Sequence, residues 1–205
     1  DAHRLGSYWS HVPECEDRAV CAHCGVPEDL EHVLIRCARP GQAEVWAMAE
    51  SLWLKKHPVW PALSLGGILG CGLIPVRDEE GRVLQGASRL YRILISESLF
   101  LIWKIRNEST IQRDGSPLSS PEIHNRWNFA INQRHRLDIL LSRARNGQRA
   151  KVSPGLVLHT WSSVLRDEDS LPNNWLDSPR VLVGIERRDP SPPSPRPSGR
   201  LGRNR

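Results

Sequence analysis

No stretch of this chain is both long and apolar enough to cross a bilayer. The richest, Leu90 to Ile105, has eleven hydrophobic positions in sixteen. It is shorter than the ~20 residues a spanning helix needs, and Arg92, Glu97 and Lys104 interrupt it. No charged n-region and apolar h-region follow Asp1, so no secretory signal is visible. An initiator methionine is missing too, and the chain reads as a piece of a longer protein. An odd count of five cysteines argues against a disulfide framework and for a reducing, intracellular setting, cytoplasmic or nuclear. Strands are almost missing: only Val181-Leu182-Val183-Gly184-Ile185 has the pattern of one, and a lone strand makes no sheet. That counts against chemistry in which a mixed sheet gathers several carboxylates around paired divalent metals.

What is present begins with Cys21, Cys24, His32 and Cys37, spaced C-x2-C-x7-H-x4-C. Three thiolates and one imidazole complete the tetrahedral shell that zinc prefers, with no corner left for an activated water. The expected cofactor is therefore a structural Zn2+ and not a hydrolytic one. A redox Cys-x-x-Cys would need a strand-to-helix setting, which Val20 to Val26 is too short and turn-rich to supply. Pro27, Glu28 and Asp29 are expected to open a short helix, with Asp29 as its N-cap, that carries His32 and ends near Cys37. His23 has ligand-like spacing but lies between two ligands and is expected to point outward. Cys15 and Cys71 are expected to be free thiols, Cys15 lying close enough to the box for exchange.

The rest reads as mainly α: a small zinc knuckle, then a helical bundle with a long central helix, then a disordered basic tail. Residues 1–60 hold the knuckle and the following helix, 61–187 a helical domain, and 188–205 the Pro/Arg-rich tail. The central helix is expected from Gly86 to about Arg113. Leu90, Leu94, Leu101 and Ile105 form one apolar stripe, and Ile95, Leu99, Ile102 and Trp103 a second, so it must be covered on most sides. A helix over 41–56 carries Val45, Trp46, Ala49, Leu52 and Trp53 and ends in cations that suit its C-terminal dipole. Ser119-Ser120-Pro121-Glu122 combines a capping box with an early proline, and the helix it starts is expected to run to Asn146-Gly147. A shorter helix is expected over Leu156 to Leu165. Between Trp60 and Gln85 the glycines and Pro75 point to an ordered loop, with a solvated turn at Asp78 to Gly81.

Charge is unevenly distributed. Residues 1–60 carry six Lys/Arg against nine Asp/Glu, 119–151 seven against two, and the tail from 188 five against one. The knuckle loop from Gly25 to Glu31 has neither the cations nor the aromatic of a base-reading knuckle, so it is read as a staple. Candidate nucleic-acid contacts are instead Arg134, Arg136, Arg143, Arg145, Arg149 and Lys151, opposed only by Asp138. Trp127, at helical spacing with Ile123 and Ile131, is read as core before it is read as a stacking platform. Glu97 and Glu108 share a helical face, but a lone carboxylate pair near Lys104 and Arg106 reads as salt-bridged surface. His124-Asn125 reads as solvated helix. No residue is assigned a catalytic role.

The box, with its Glu31-His32-Val33-Leu34 helix, resembles the zinc-binding region downstream of reverse transcriptase and RNase H in non-LTR retrotransposon polyproteins. Tyr8-Trp9, Glu16-Asp17-Arg18, the run from Arg89 to Glu97, Ile102-Trp103-Lys104, Asn125-Arg126-Trp127, Ile131-Asn132, Thr160-Trp161, Leu171-Pro172 and Val181 to Ile185 resemble the C-terminal portion of fungal retroelement-derived proteins. Some of those are described as RNase H type-1 domain proteins. The likeness spans about residues 4–185 and departs from the family pattern at Cys15, where an aromatic stands, and at Asn107, often a cysteine. It implies upstream reverse transcriptase and RNase H domains and RNA or DNA as a partner; it also invites a ribonuclease assignment, which the residues of this segment do not support, and their hydropathy leads to no membrane being expected. The expected function is a zinc-stapled, nucleic-acid-binding C-terminal module. The alternatives are a protein-interaction scaffold, or a fragment of an RNase H type-1 enzyme whose catalytic domain lies upstream.

Overall fold

The computed structural model describes residues 4–113, 115–143 and 150–185. It is 57% helical, with no strand among the described residues, so the chain is mainly α as its apolar periodicity requires. Five α-helices follow the N-terminal knuckle: α1 (Gln42–Trp53), α2 (Leu65–Leu69), α3 (Gln85–Asn107), α4 (Ser120–Ser142) and α5 (Pro154–Trp161). α3 is the axis, since α1, α2, α4, α5 and the knuckle all pack against it. Both predicted stripes are used: Leu90, Leu94, Ile95, Leu101, Ile102 and Ile105 are buried, while Leu99 and Trp103 are half-buried. α3 passes into a π-helical turn over Glu108–Gln112, close to the expected end at Arg113. At its start Gly86 lies so close to α5 that a Cβ there would stand 2.3 Å from the His159 carbonyl oxygen. Only glycine allows that approach.

Tryptophan side chains supply much of the core, and each fully enclosed indole N–H finds an acceptor, as burial demands. Trp53 donates to the Val59 carbonyl at 2.7 Å, Trp127 to Ser98 Oγ at 3.0 Å, and Trp161 to Asp138 Oδ2 at 2.8 Å. Trp127 is fully buried between Ile123 and Ile131, which removes it as a stacking platform. Trp46 and Trp53 are core residues, as their spacing predicts.

Four local expectations change. α4 stops at Ser142, short of Asn146-Gly147, because the chain turns back there: the N–H groups of Lys151 and Val152 both donate to the Leu141 carbonyl. The capping box does not form. Ser119 makes no side-chain cap, Ser120 Oγ donates instead to Glu44 on α1 at 2.5 Å, and Glu122 pairs with Arg126. Val181–Ile185 is no strand but one antiparallel bridge, Leu165 to Val183, since among the described residues its backbone–backbone bonds to other segments go only to 164–166. The loop after Trp60 contains α2, capped by Ser64 Oγ accepting from the Gly67 N–H. Other expectations hold with adjusted ends. α5 starts at Pro154 and Ser153 caps it. Arg82 and the backbone of 80 and 82 satisfy Asp78 in an exposed turn. The cations ending α1 reach elsewhere: Lys56 Nζ donates to the Ser162 carbonyl at the C-terminus of α5, and Lys55 Nζ to the Gly184 carbonyl. The tail from 188 lies outside the described residues.

Asp138, the single acid of the basic stretch, is wholly buried, and of those cations Arg134 approaches it, with Nε at 3.8 Å. Arg89 of α3 grips both its oxygens, and Trp161 of α5 donates to it as well, so one carboxylate ties three helices together. His135, one turn earlier, packs edge-on to Trp161 with ring centres 4.9 Å apart, and burial holds its imidazole down to about 4. Removing one member of a buried ion pair strands the other, at about 3–5 kcal/mol. Asp138→Ala is therefore expected to lose about that much in urea unfolding, while Arg136→Ala, exposed on the same helix, stays within about 0.5 kcal/mol. Equal effects of the two substitutions would refute the tie.

Candidate metal centre

Residues 19–28 form a tight turn rather than a helix. The Cys21 N–H donates to the Val26 carbonyl at 2.8 Å, the Gly25 N–H to the Cys21 carbonyl at 2.8 Å, and the Glu28 N–H to the Ala19 carbonyl at 3.0 Å. Gly25 sits at φ +69°, the left-handed region that glycine enters without strain. This turn brings Cys21 and Cys24 to one place and leaves His23 exposed outside it.

The second pair comes from the helix that Asp29 opens, its Oδ1 accepting the His32 N–H at 2.6 Å. From His32 to Arg36 that helix has π geometry, closed by the Cys37 N–H donating to the His32 carbonyl at 2.8 Å. The widening matters. In an α-helix residues five apart are turned by about 140° from each other, whereas an i→i+5 bond brings the fifth residue back over the first. An H-x4-C spacing thus delivers both ligands to one point only when the turn is widened.

The four donor atoms lie within 4.8 Å of one another, as the spacing predicts. Cys37 Sγ is 3.8 Å from Cys21 Sγ and 3.8 Å from Cys24 Sγ. A tetrahedron with metal–sulfur bonds of about 2.3 Å has edges of about 3.8 Å, whereas a disulfide needs about 2.05 Å. His32 Nε2 is buried with no hydrogen-bond partner, a state that costs about 1–3 kcal/mol for a neutral acceptor and that a metal ion would relieve. Burial pushes the Cys37 thiol up to about 12, and the Ala38 N–H donating to its sulfur pulls Cys24 below the ordinary thiol value. The donor set therefore fits a metal ion, and its three sulfurs favour a thiophilic one. Cys15 and Cys71 are half-buried free thiols outside the cluster.

The cluster is fastened to the helices from two sides. Trp46 Nε1 and Gln42 Nε2, both on α1, donate to the Leu34 carbonyl at 2.7 and 2.8 Å, on the turn between His32 and Cys37. Glu28 forms a buried ion pair with Arg106 near the end of α3. Arg39, two residues beyond Cys37, is buried and donates to Ser109 and Thr110. A cavity of about 20 Å³, room for one water, lies between Cys37, Arg39, Gln42 and Arg106. Spacing alone did not single out Glu28, Arg39 or Arg106, because their partners lie some 70 or more positions away in sequence. The one local signal is an arginine immediately before Pro40-Gly41.

The basic residues divide. Arg136 and Lys151 are exposed. Arg134 turns its Nε toward Asp138 at 3.8 Å, and Arg143 donates to the Leu176 carbonyl at 3.1 Å with Asp177 at 3.8 Å. Arg145 and Arg149 lie outside the described residues. Of the two carboxylates on α3 and its extension, Glu108 is ion-paired with Arg126 at 2.5 Å, while Glu97 is half-buried and held above the ordinary carboxylate range by burial. His124 is half-buried and Asn125 exposed.

A closed four-ligand site makes metal binding part of folding. One metal ion per chain is expected by elemental analysis, lost in Cys24→Ser and Cys37→Ser and kept in Cys15→Ser and His23→Ala. A chelator is expected to unfold at least residues 15–60. Metal retained after removal of Cys24 would refute the ligand set.

Comparison with protein-family models, with curated proteins and with solved structures gave no match.

Proposed function

We propose that this chain is a zinc-stapled helical module of a retroelement polyprotein, working as a nucleic-acid-holding segment beside upstream reverse transcriptase and RNase H domains. The observation that carries the reading is the cluster of Cys21, Cys24, His32 and Cys37 around one point, with its orphaned imidazole nitrogen. Cys21, Cys24 and Cys37 would hold Zn2+ as thiolates and His32 through its imidazole. The ion supplies cross-linking and no chemistry, because the protein fills all four corners. The resemblance of the box and later phrases to retroelement proteins supplies the context.

Nucleic acid, RNA or DNA, would be met at the C-terminal end of α4. Arg136 and Lys151 are free to reach phosphate, Arg143 lies at the same helix end, and Arg145 and Arg149 stand in the intervening stretch. The backbone bonds from 151 and 152 to Leu141 bring Lys151 back beside that end. The contact is electrostatic and indifferent to base sequence. A scaffold reading, without nucleic acid, draws support from the protein partners that already engage Arg134 and Arg143.

Salt dependence separates the two. Each cation that neutralises a phosphate on a single strand adds about 0.7 to the slope of log K against log salt, so five cations without Arg134 give about −3.5. Anisotropy titrations with single-stranded RNA and DNA are expected to show that slope, reduced by about 0.7 in Arg136→Gln and unchanged in Arg134→Gln. A flat dependence, or equal affinity when all six cations are changed to Gln, leaves the scaffold reading.

A further inference from the structure

We infer that Arg39 is the counter-charge of the metal centre, its buried guanidinium balancing the one net negative charge that three thiolates and a neutral imidazole leave on a divalent zinc. The inference rests on the zinc reading above and concerns what holds that centre against the helices. Arg39 is 8% exposed, yet it donates only to two hydroxyls, Thr110 Oγ1 at 3.1 Å and Ser109 Oγ at 3.5 Å. Among the described residues no carboxylate pairs with it. A guanidinium taken out of water into neutral surroundings loses several kcal/mol of solvation that hydroxyls do not return.

The acids around the knuckle are committed elsewhere. Glu28 pairs with Arg106, Glu31 with Arg36, and Asp29 caps the His32 turn. The Glu28–Arg106 pair is neutral in itself, so Arg39 is the excess charge of this buried region. Cys37, two residues before Arg39, lines the same small cavity as that arginine. With zinc bound, the centre carries minus one against plus one on Arg39, and the whole region buried against α3 is electrically neutral. Metal loading and docking of the knuckle are thus one event, and Arg39 is the positioning residue that couples them.

The test measures zinc affinity of the full chain by competition with a chromophoric chelator, for wild type, R39Q, R39K, C24H and R39Q/C24H. Truncating one partner of a buried charge pair is expected to weaken zinc by at least about tenfold in R39Q, whereas R39K, which keeps the charge, stays within about threefold of wild type. C24H replaces a thiolate by a neutral imidazole and makes the centre neutral, so R39Q in that background is expected to cause no loss, or a gain. A merely structural arginine would produce the same deficit in both backgrounds and no advantage for lysine. R39Q within twofold of wild type, R39K as weak as R39Q, or an equal deficit in C24H, each overturns the inference while leaving the zinc reading intact. Failure of wild type to bind zinc overturns the zinc reading itself.

Discussion

Closure of four donor atoms around one point is the constraint on which the segment before α1 depends. Between Leu5 and Pro40 the only fully buried apolar side chains are Cys21, Val33 and Leu34. At about 1.5–3 kcal/mol for each large side chain, that burial cannot hold the segment against the entropy of ordering its backbone, at about 1–2 kcal/mol per residue. A metal ion held by the four donors would make the folding of this segment depend on metal binding. The π-helical turn over His32–Arg36 places two of the four donors in that cluster.

The helices need no such staple. α3 is covered by four other helices, and the fully enclosed tryptophans fill the gaps between them with every indole N–H paired. α1 joins the two parts: one face carries Val45, Ala49, Leu52 and Trp53 into the core, while Gln42 and Trp46 hold the carbonyl of Leu34. The position of His32 is consequently set from both ends, by Asp29 before it and by α1 behind it.

Most of the architecture was readable because it follows from periodicity. The stripes of α3, the tryptophans of α1 and the ligand spacing all rest on local pattern, and each appears where local pattern places it. The departures come from long-range partners. Ser119 is not a cap because Glu122 is drawn to Arg126 and Ser120 to Glu44. α4 ends early because residues 151 and 152 return to its last turn. Val181–Ile185 has a strand's composition, but among the described residues its one β-bridge is to Leu165. Asp138 reads as an acid among arginines until Arg89 and Trp161, on two other helices, are placed beside it. Arg39 carries no sequence signal beyond its nearness to Cys37; only its burial reveals a charge that needs an answer. The π turn is the middle case, since the H-x4-C spacing demands a turn wider than α without naming it.

X-ray absorption at the zinc edge of the purified full chain addresses the closed staple most directly. The account predicts one zinc surrounded by three sulfurs at about 2.3 Å and one nitrogen at about 2.0 Å, with no further light-atom ligand. A shell containing water oxygen, a sulfur count of two or fewer, or an oxygen-only environment would contradict it.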